Sequence, residues 1–448
     1  MAEAASRRRI VILGAAGRDF HDFNVVYRER SECEVVAFTA AQIPDIAGRR
    51  YPPALAGPLY PDGIPIVGEA SLEELCHRER VDEVVLAYSD LSHADAMHLA
   101  CRALAAGCDF TLLGPASTML ASPVPVLAIS AVRTGCGKSQ TTRWLARRLQ
   151  ARGLRVVAVR HPMPYGDLER QAVQRFSSRT DIDTARCTIE EREEYEPLVD
   201  AGVVVFAGID YERILAHAQG EADVILWDGG NNDFPFFRPD LHIVLVDPLR
   251  PGDELRYYPG EAVLRMADVV VIPKVDAAAD ADVQRVEANV RSVRPRVPIV
   301  RAASPVRLDA PDRVRGRRVL VVDDGPTLTH GGMAYGAGFV AATRAQAGEI
   351  VDPRPYAAPE IAEVFHRYPH LGPVLPAMGY HAAQLEALRR TIEATPADMV
   401  VSGTPSDLAA LLTLSKPVVR ARYDFEELGQ PTLSSIVDAC LARMSAKR

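Results

Sequence analysis

Short runs of β-branched and aliphatic residues recur along the chain, separated by stretches whose apolar positions follow helical spacing. Such runs, with no polar alternation, read as strands buried on both faces. Their regular exchange with helical patterns predicts parallel α/β sheets, not an all-α or all-β fold. From residue 8 to about 122 the strands are RRRIVILG, EVVAF, DEVVLAY and DFTLLG, with a helix over SHADAMHLACRALAAG. Gly14-Ala-Ala-Gly17 turns the chain after the first strand. Residues 1–122 are therefore expected to form a Rossmann-like N-terminal domain, ending at Pro123 and Pro125. The next strands are 124–130, 155–160, 202–208, 224–228, 242–247, 269–273, 298–302 and 318–324, which we group as a second domain, 123–345, with a mostly parallel sheet. Residues 346–448 carry a helix around ALRRTIEAT and the strands DMVVSG and PVVRARY. They form either a C-terminal α/β subdomain or the completion of the second domain.

Composition narrows the class. A chain of 448 residues, 48% hydrophobic and 25% charged, buries ample core and suits two or three domains. No apolar run reaches membrane-spanning length, and MAEAASRRRIVILG lacks the features of a signal peptide, so a cytoplasmic location is expected. The formal charge of −8 argues against a nucleic-acid or membrane-surface partner and leaves a small anionic substrate open. Seven cysteines without a CxxC pair indicate neither a disulfide frame nor a zinc site. Only Lys138, Lys274, Lys416 and Lys447 are lysines among 51 basic residues. Where arginine is so favoured, a retained lysine points to a site that needs a compact ammonium.

Lys138 has such a context. The strand VPVLAIS runs into Ala131-Val132-Arg133-Thr134-Gly135-Cys136-Gly137-Lys138-Ser139 and then the helical QTTRWLARRL. A strand, a glycine-rich turn, Lys-Ser and a helix form a phosphate-binding loop. Backbone N–H groups and the helix N-terminus meet the phosphates, Lys138 reaches the β and γ oxygens, and Ser139 can ligate Mg²⁺. Thr134 through Gln140 are the nucleotide-binding candidates. Val132 replaces the usual first glycine, and the loop resembles the deviant form KGGxGK[ST] of the SIMIBI branch of P-loop proteins, with Arg133 at the signature lysine. In that branch this basic residue contacts phosphate across a dimer interface, which implies a homodimer. Asp228, at the end of VILWD, is the matching carboxylate for Mg²⁺. VVVIPKVD resembles the base-recognition loop NKxD, with Lys274 and Asp276 as base contacts and Pro273 in place of Asn. ATP is expected and GTP is not excluded. A surface Lys–Asp turn is the alternative.

Three polar loops are candidates for a second substrate. Arg160, His161 and Tyr165 lie in RHPMPYGD, Asn231 and Asn232 in GGNND, and His330 in the glycine-dense DDGPTLTHGGMAYGAG. Structural turns are the alternative for each. Together with GRDFHDFN, DPLRPGDE, YYPGE, GTPSDL and KPVVRARY, these motifs resemble cyclic 2,3-diphosphoglycerate synthetase over about residues 8–430. The resemblance implies an ATP-dependent ligase that cyclises 2,3-diphosphoglycerate by forming an internal phosphoanhydride, with ADP and phosphate released. It implies Mg²⁺, with K⁺ a further candidate ion. Lys138, Arg133 and Asp228 would be catalytic, and Arg160 and His161 would help neutralise the substrate. The competing readings are a kinase of another phosphorylated acidic metabolite and a regulatory GTPase or metallochaperone-like switch.

Overall fold

The computed structural model describes residues 7–446 apart from 16, 42–45, 162, 164, 231, 380 and 381. Three mixed α/β layers follow one another along the chain. The first sheet has the order Arg50–Tyr51, Ile64–Gly68, Cys33–Ala40, Arg8–Leu13, Glu83–Leu86, Asp109–Thr111. All its pairings are parallel except that of the short edge strand Arg50–Tyr51. Ile10, Val11, Ile12 and Leu13 are fully buried, as an unbroken apolar run in a sheet covered on both faces requires.

The second sheet has nine strands. Seven inner ones are parallel, in the order Val204–Gly208, Val156–Arg160, Val224–Asp228, Val126–Ala131, Leu241–Leu245, Val269–Ile272, Ile299–Ala303. Val173–Phe176 and Glu426–Leu428 close its two edges as antiparallel strands. Val126–Ala131 lies in the middle, between Val224–Asp228 and Leu241–Leu245. Chain connections depart to opposite sides there, and the crevice beyond the carboxyl ends of such strands is where open α/β sheets bind ligands.

The third sheet is built from Val306–Leu308, Val418–Tyr423, Met399–Ser402 and Arg318–Asp324. Glu349–Ile350 and Leu375–Ala377 pair with successive parts of Arg318–Asp324. Arg318–Asp324 is thus not a strand of the second sheet, as the sequence reading had grouped it. An apolar run shows that a strand is buried, but not which sheet buries it. The chain then returns to the second sheet through Glu426–Leu428, so the third layer is stitched to the second at both ends.

The first and second layers are joined by polar contacts as well as apolar ones. Tyr257–Tyr258 pairs antiparallel with Leu91–Ser92. In the segment GRDFHDFN, Arg18, Asp19, His21, Asp22 and Asn24 are all buried. Arg18 pairs with Asp233 at 3.0 Å, and His21 stacks on Phe236 with centroids 4.1 Å apart. This turn is a docking element between layers.

His242 is buried in the second sheet, with Nε2 3.0 Å from Ser130 Oγ. Burial pushes its pKa from 6.5 down to about 4, opposed in part by a backbone hydrogen bond at Met266. The folded value lies below the unfolded one, so the unfolded chain takes up the proton first as pH falls. This group's contribution to stability is therefore present above about pH 6.5 and is lost toward pH 4, at up to about 1.4 kcal/mol per pH unit. Urea unfolding of the parent and His242→Gln at several pH values should show the parent losing ground relative to the variant across that window. A constant gap would show that the imidazole titrates alike in both states.

Candidate functional site

The turn after Val126–Ala131 closes on two glycines in the left-handed region, Gly135 at φ 80° and Gly137 at φ 103°, where a β-carbon is disfavoured. Helix Lys138–Gln150 starts directly after Gly137. The lysine therefore sits at a helix N-terminus at the carboxyl edge of the central strand. Lys138 Nζ lies 3.2 Å from Asp228 Oδ1. The other carboxylate oxygen of Asp228 faces Arg160, whose guanidinium also pairs with Glu194. Burial alone would raise the Asp228 carboxyl. The Arg160 and Lys138 charges outweigh it and hold the group below its usual value. Asp228 is 1% exposed, so this is an ionised carboxylate kept in the interior by two cations.

The loop is braced from beneath. Asp247, itself buried, pairs with Arg250 at 2.7 Å and with Lys274 at 3.3 Å. Arg250 donates to the Thr134 carbonyl at 2.6 Å, and Lys274 donates to the Gly135 carbonyl at 2.5 Å. Cys136 is buried above this network, and burial pushes its thiol up to about 11, so it is a packing residue and not a nucleophile. Three non-glycine residues around the loop have positive φ: Asp90 at 59°, Asn232 at 22° and Lys274 at 58°. Backbone held in such regions persists only where neighbours over-determine it, and it collects at functional sites.

Thr134, Gly135, Gly137, Lys138, Ser139 and Gln140 line one side of a cleft between the second and third layers, with about 1300 Å³ of empty space including its open mouth. Gln140 Nε2 donates to Ser304 Oγ at 2.5 Å. Lys274 reaches the cleft, but its ammonium is committed to the loop. Asp276 does not line the cleft. It accepts from the Ser304 backbone N–H at 2.8 Å.

Several candidate substrate residues are used internally. Arg133 is only 7% exposed on its side chain. It pairs with Asp90 at 2.7 Å and with Asp253, and lies 3.6 Å over the Tyr257 ring. Its charge is therefore paired within its own chain, although Arg133 also lines the cleft. Asn232 is fully buried and bonds to the Asp90 N–H at 2.8 Å and the Val132 carbonyl at 3.1 Å, so it is an interlayer brace and not a substrate contact. Asn231 lies outside the described residues. His161 is packed so closely against Gly230 that a β-carbon there would fall 2.4 Å from its Cγ. Burial, then Arg160, Lys138 and Arg18, push its pKa down to about 3, which makes it a neutral ring beside Lys138. Tyr165 donates to Glu190 at 2.7 Å. His330 sits 3.2 Å from the Thr329 hydroxyl and does not line the cleft.

The opposite part of the cleft was not anticipated. Helix Ile189–Asp200 carries Glu193 and Glu194 to it, and strand Arg318–Asp324 delivers Asp324. Tyr335 and Tyr423 flank them. The run IEEREEYE was not read from the sequence. Its signal was the capping pair Thr188–Glu191, which fixes the helix start, but nothing in the run shows that Glu190, Glu191, Glu193 and Glu196 are buried.

A phosphate-binding turn at the carboxyl edge of a mostly parallel sheet, with Lys138 and Asp228 meeting at its mouth, defines a P-loop α/β protein. The chain is 58% identical over 432 residues to arginine synthetase ArcE of Thermococcus kodakarensis, which covers 96% of each chain. It belongs to the family of that protein. No family model matches the chain. Among solved structures it is similar to the hydrogenase maturation factor HypB of Archaeoglobus fulgidus (18% identity, TM-score 0.27, 40% of this chain and 81% of that one). It is also similar to a DUF1611 family protein of Anabaena variabilis (13% identity, TM-score 0.24, 65% and 94%). Overlaps this low carry no argument about function.

The family overturns the expectation of 2,3-diphosphoglycerate cyclisation, and with it the kinase and the GTPase or metallochaperone alternatives. The physical reason lies in the cleft. A substrate with two phosphates and a carboxylate would meet Glu193 and Asp324, while the cations expected to neutralise it, Arg133 and Arg160, are spent on internal carboxylates.

The Lys274 brace is testable. Lys274→Met removes the donor to Gly135 but leaves Asp247 paired with Arg250. Loss of a charged hydrogen bond of about 1.5–3 kcal/mol should weaken nucleotide binding about tenfold or more. Titration with a fluorescent nucleotide would read this. Unchanged affinity would show that the loop holds its shape without the lysine.

Proposed function

We propose that this protein is a nucleotide-dependent synthetase whose product is arginine, acting in the cleft between the second and third layers. The observation that carries this reading is the polarity of the cleft. Lys138 lines one part of it, and Glu193 and Asp324 line another. One end suits a nucleoside triphosphate and the other a guanidinium. The family relationship to arginine synthetase ArcE supports the same product.

Chemistry then constrains the reaction. The guanidinium carbon is at the oxidation level of urea, so a precursor with oxygen in place of one nitrogen is a ureido amino acid, citrulline. Hydroxide is a poor leaving group there. Transfer of the γ-phosphoryl group to the ureido oxygen breaks the γ-phosphoanhydride, releases the nucleoside diphosphate and makes that oxygen part of a phosphate. Ammonia then attacks the carbon, the C–O bond breaks, and inorganic phosphate leaves with the proton lost by the nitrogen. Lys138 and the loop N–H groups hold the transferring phosphoryl group, and its charge is balanced mainly by positioning and electrostatics. Mg²⁺ fits this site as an ion brought by the nucleotide. Ser139 would hold it directly and Asp228 through its water shell, because both Asp228 oxygens already face cations. Bound there, it would neutralise the β- and γ-phosphates.

The reading is tested by incubating the protein with citrulline, ammonium chloride, MgCl₂ and either ATP or GTP. Arginine, nucleoside diphosphate and phosphate should appear in equal amounts. No arginine with either nucleotide would refute it. Lys138→Ala should lower the turnover number by a factor on the order of 10² or more while the fold is retained, as seen by circular dichroism. Turnover within a few-fold of the parent would remove Lys138 from the mechanism.

A further inference from the structure

The acidic wall contains an unsatisfied carboxylate. Glu193 is 3% exposed and lines the cleft. One of its oxygens accepts from the Thr404 hydroxyl, and Thr404 is in turn 3.0 Å from Ser406. Its second oxygen has no hydrogen-bond partner. The charges acting most strongly on it come from Asp324 and Glu190, and both are acidic. Asp324 spends one oxygen on the Thr327 N–H at 3.0 Å, which fixes the direction of its carboxylate. Tyr423 packs beside this pair, and the Arg143 guanidinium, 5.6 Å from its ring centre, donates to the Tyr423 carbonyl at 3.3 Å.

A buried carboxylate facing a second, part-buried one is costly, and the cost falls when a cation with donors in the right places enters. Burial, then the neighbouring Asp324 carboxylate, push the Glu193 carboxyl well above its usual value. A cation entering beside Glu193 would oppose that shift. Among the described residues no three carboxylate, imidazole or thiol groups converge as metal ligands, so the pair does not form part of a metal cage. A guanidinium is a planar cation with N–H donors on more than one edge, and it bonds carboxylates in a fixed fork. Arg160 ties Glu194, the chain neighbour of Glu193, to Asp228.

We propose that Glu193 and Asp324 form the subsite that holds the guanidinium group of arginine, with its central carbon toward Lys138 and Asp228. This inference rests on the reading of arginine as the product. The pair discriminates by charge: it grips the cationic guanidinium and not the neutral ureido group. Positive charge developing as the carbon–nitrogen bond forms is met by carboxylates already in place.

Calorimetric titration of the full chain with arginine, citrulline and ATP tests it, using the parent, Glu193→Gln and Asp324→Asn. Both replacements are isosteric and keep the Thr404 and Thr327 contacts. Each should weaken arginine binding by about 10- to 100-fold, the scale of losing one charged partner, and change citrulline and ATP binding by less than about threefold. Arginine affinity unchanged in both variants would overturn the subsite, as would equal losses for arginine and citrulline. Methylguanidinium separates this failure from failure of the proposed function. If the parent binds no arginine but binds methylguanidinium, and Glu193→Gln abolishes that binding, the subsite stands and the product assignment falls. If the parent makes arginine and both variants bind it normally, the function stands and the subsite falls.

Discussion

Asp228 organises the site. A carboxylate with 1% of its surface exposed is expensive to ionise, and a single counter-ion leaves it poorly compensated. Here Lys138 and Arg160 flank it, and Arg160 carries a second carboxylate, Glu194, on its other side. The chain of alternating charges runs from the phosphate-binding turn to the acidic wall. It fixes the lysine at the mouth of the turn and the glutamate helix at the edge of the cleft in one piece. Removing Arg160 would leave Asp228 with Lys138 alone and Glu194 without its partner, which ties the turn to the glutamate helix.

A second network ties the N-terminal layer to the same turn. Asp90 receives Arg133 at 2.7 Å and the Thr134 hydroxyl at 2.8 Å, and its N–H reaches Asn232 at 2.8 Å. Arg18 and Asp233 pair beside it at 3.0 Å, and His161 is wedged between Gly17 and Gly230. Among the described residues, the N-terminal layer contributes none to the cleft lining. It shapes the turn from behind, and the motif GRDFHDFN is spent on that contact.

The placement of the glycine turn, Lys138 and Asp228 was legible because it is local. Turn glycines, a lysine at a helix N-terminus and a strand-end carboxylate are set by neighbours in sequence. Lys138 stands out further because lysine is so rare in this chain. The substrate end was misread for the opposite reason. Arg160, His161 and Asn232 look like anion ligands when their partners are unknown. Once folded, their partners are Asp228 and Glu194 for Arg160, a glycine-lined slot for His161, and Asp90 for Asn232. Conversely, Glu193 hides in an acidic run whose ordinary fate is solvent.

By itself the sequence determined the class of fold, the central strand, the turn and the residues at its mouth, since hydrophobic period and turn chemistry act over a few residues. Tertiary structure decided which sheet received Arg318–Asp324, and it alone placed Asp324 across from Glu193. It also decided which charges are free and which are spent. A charge is available to a ligand only if no buried partner has claimed it, and those partners lie far away in the chain: Arg133 is separated from Asp253 by 120 residues, and Glu193 from Thr404 by 211.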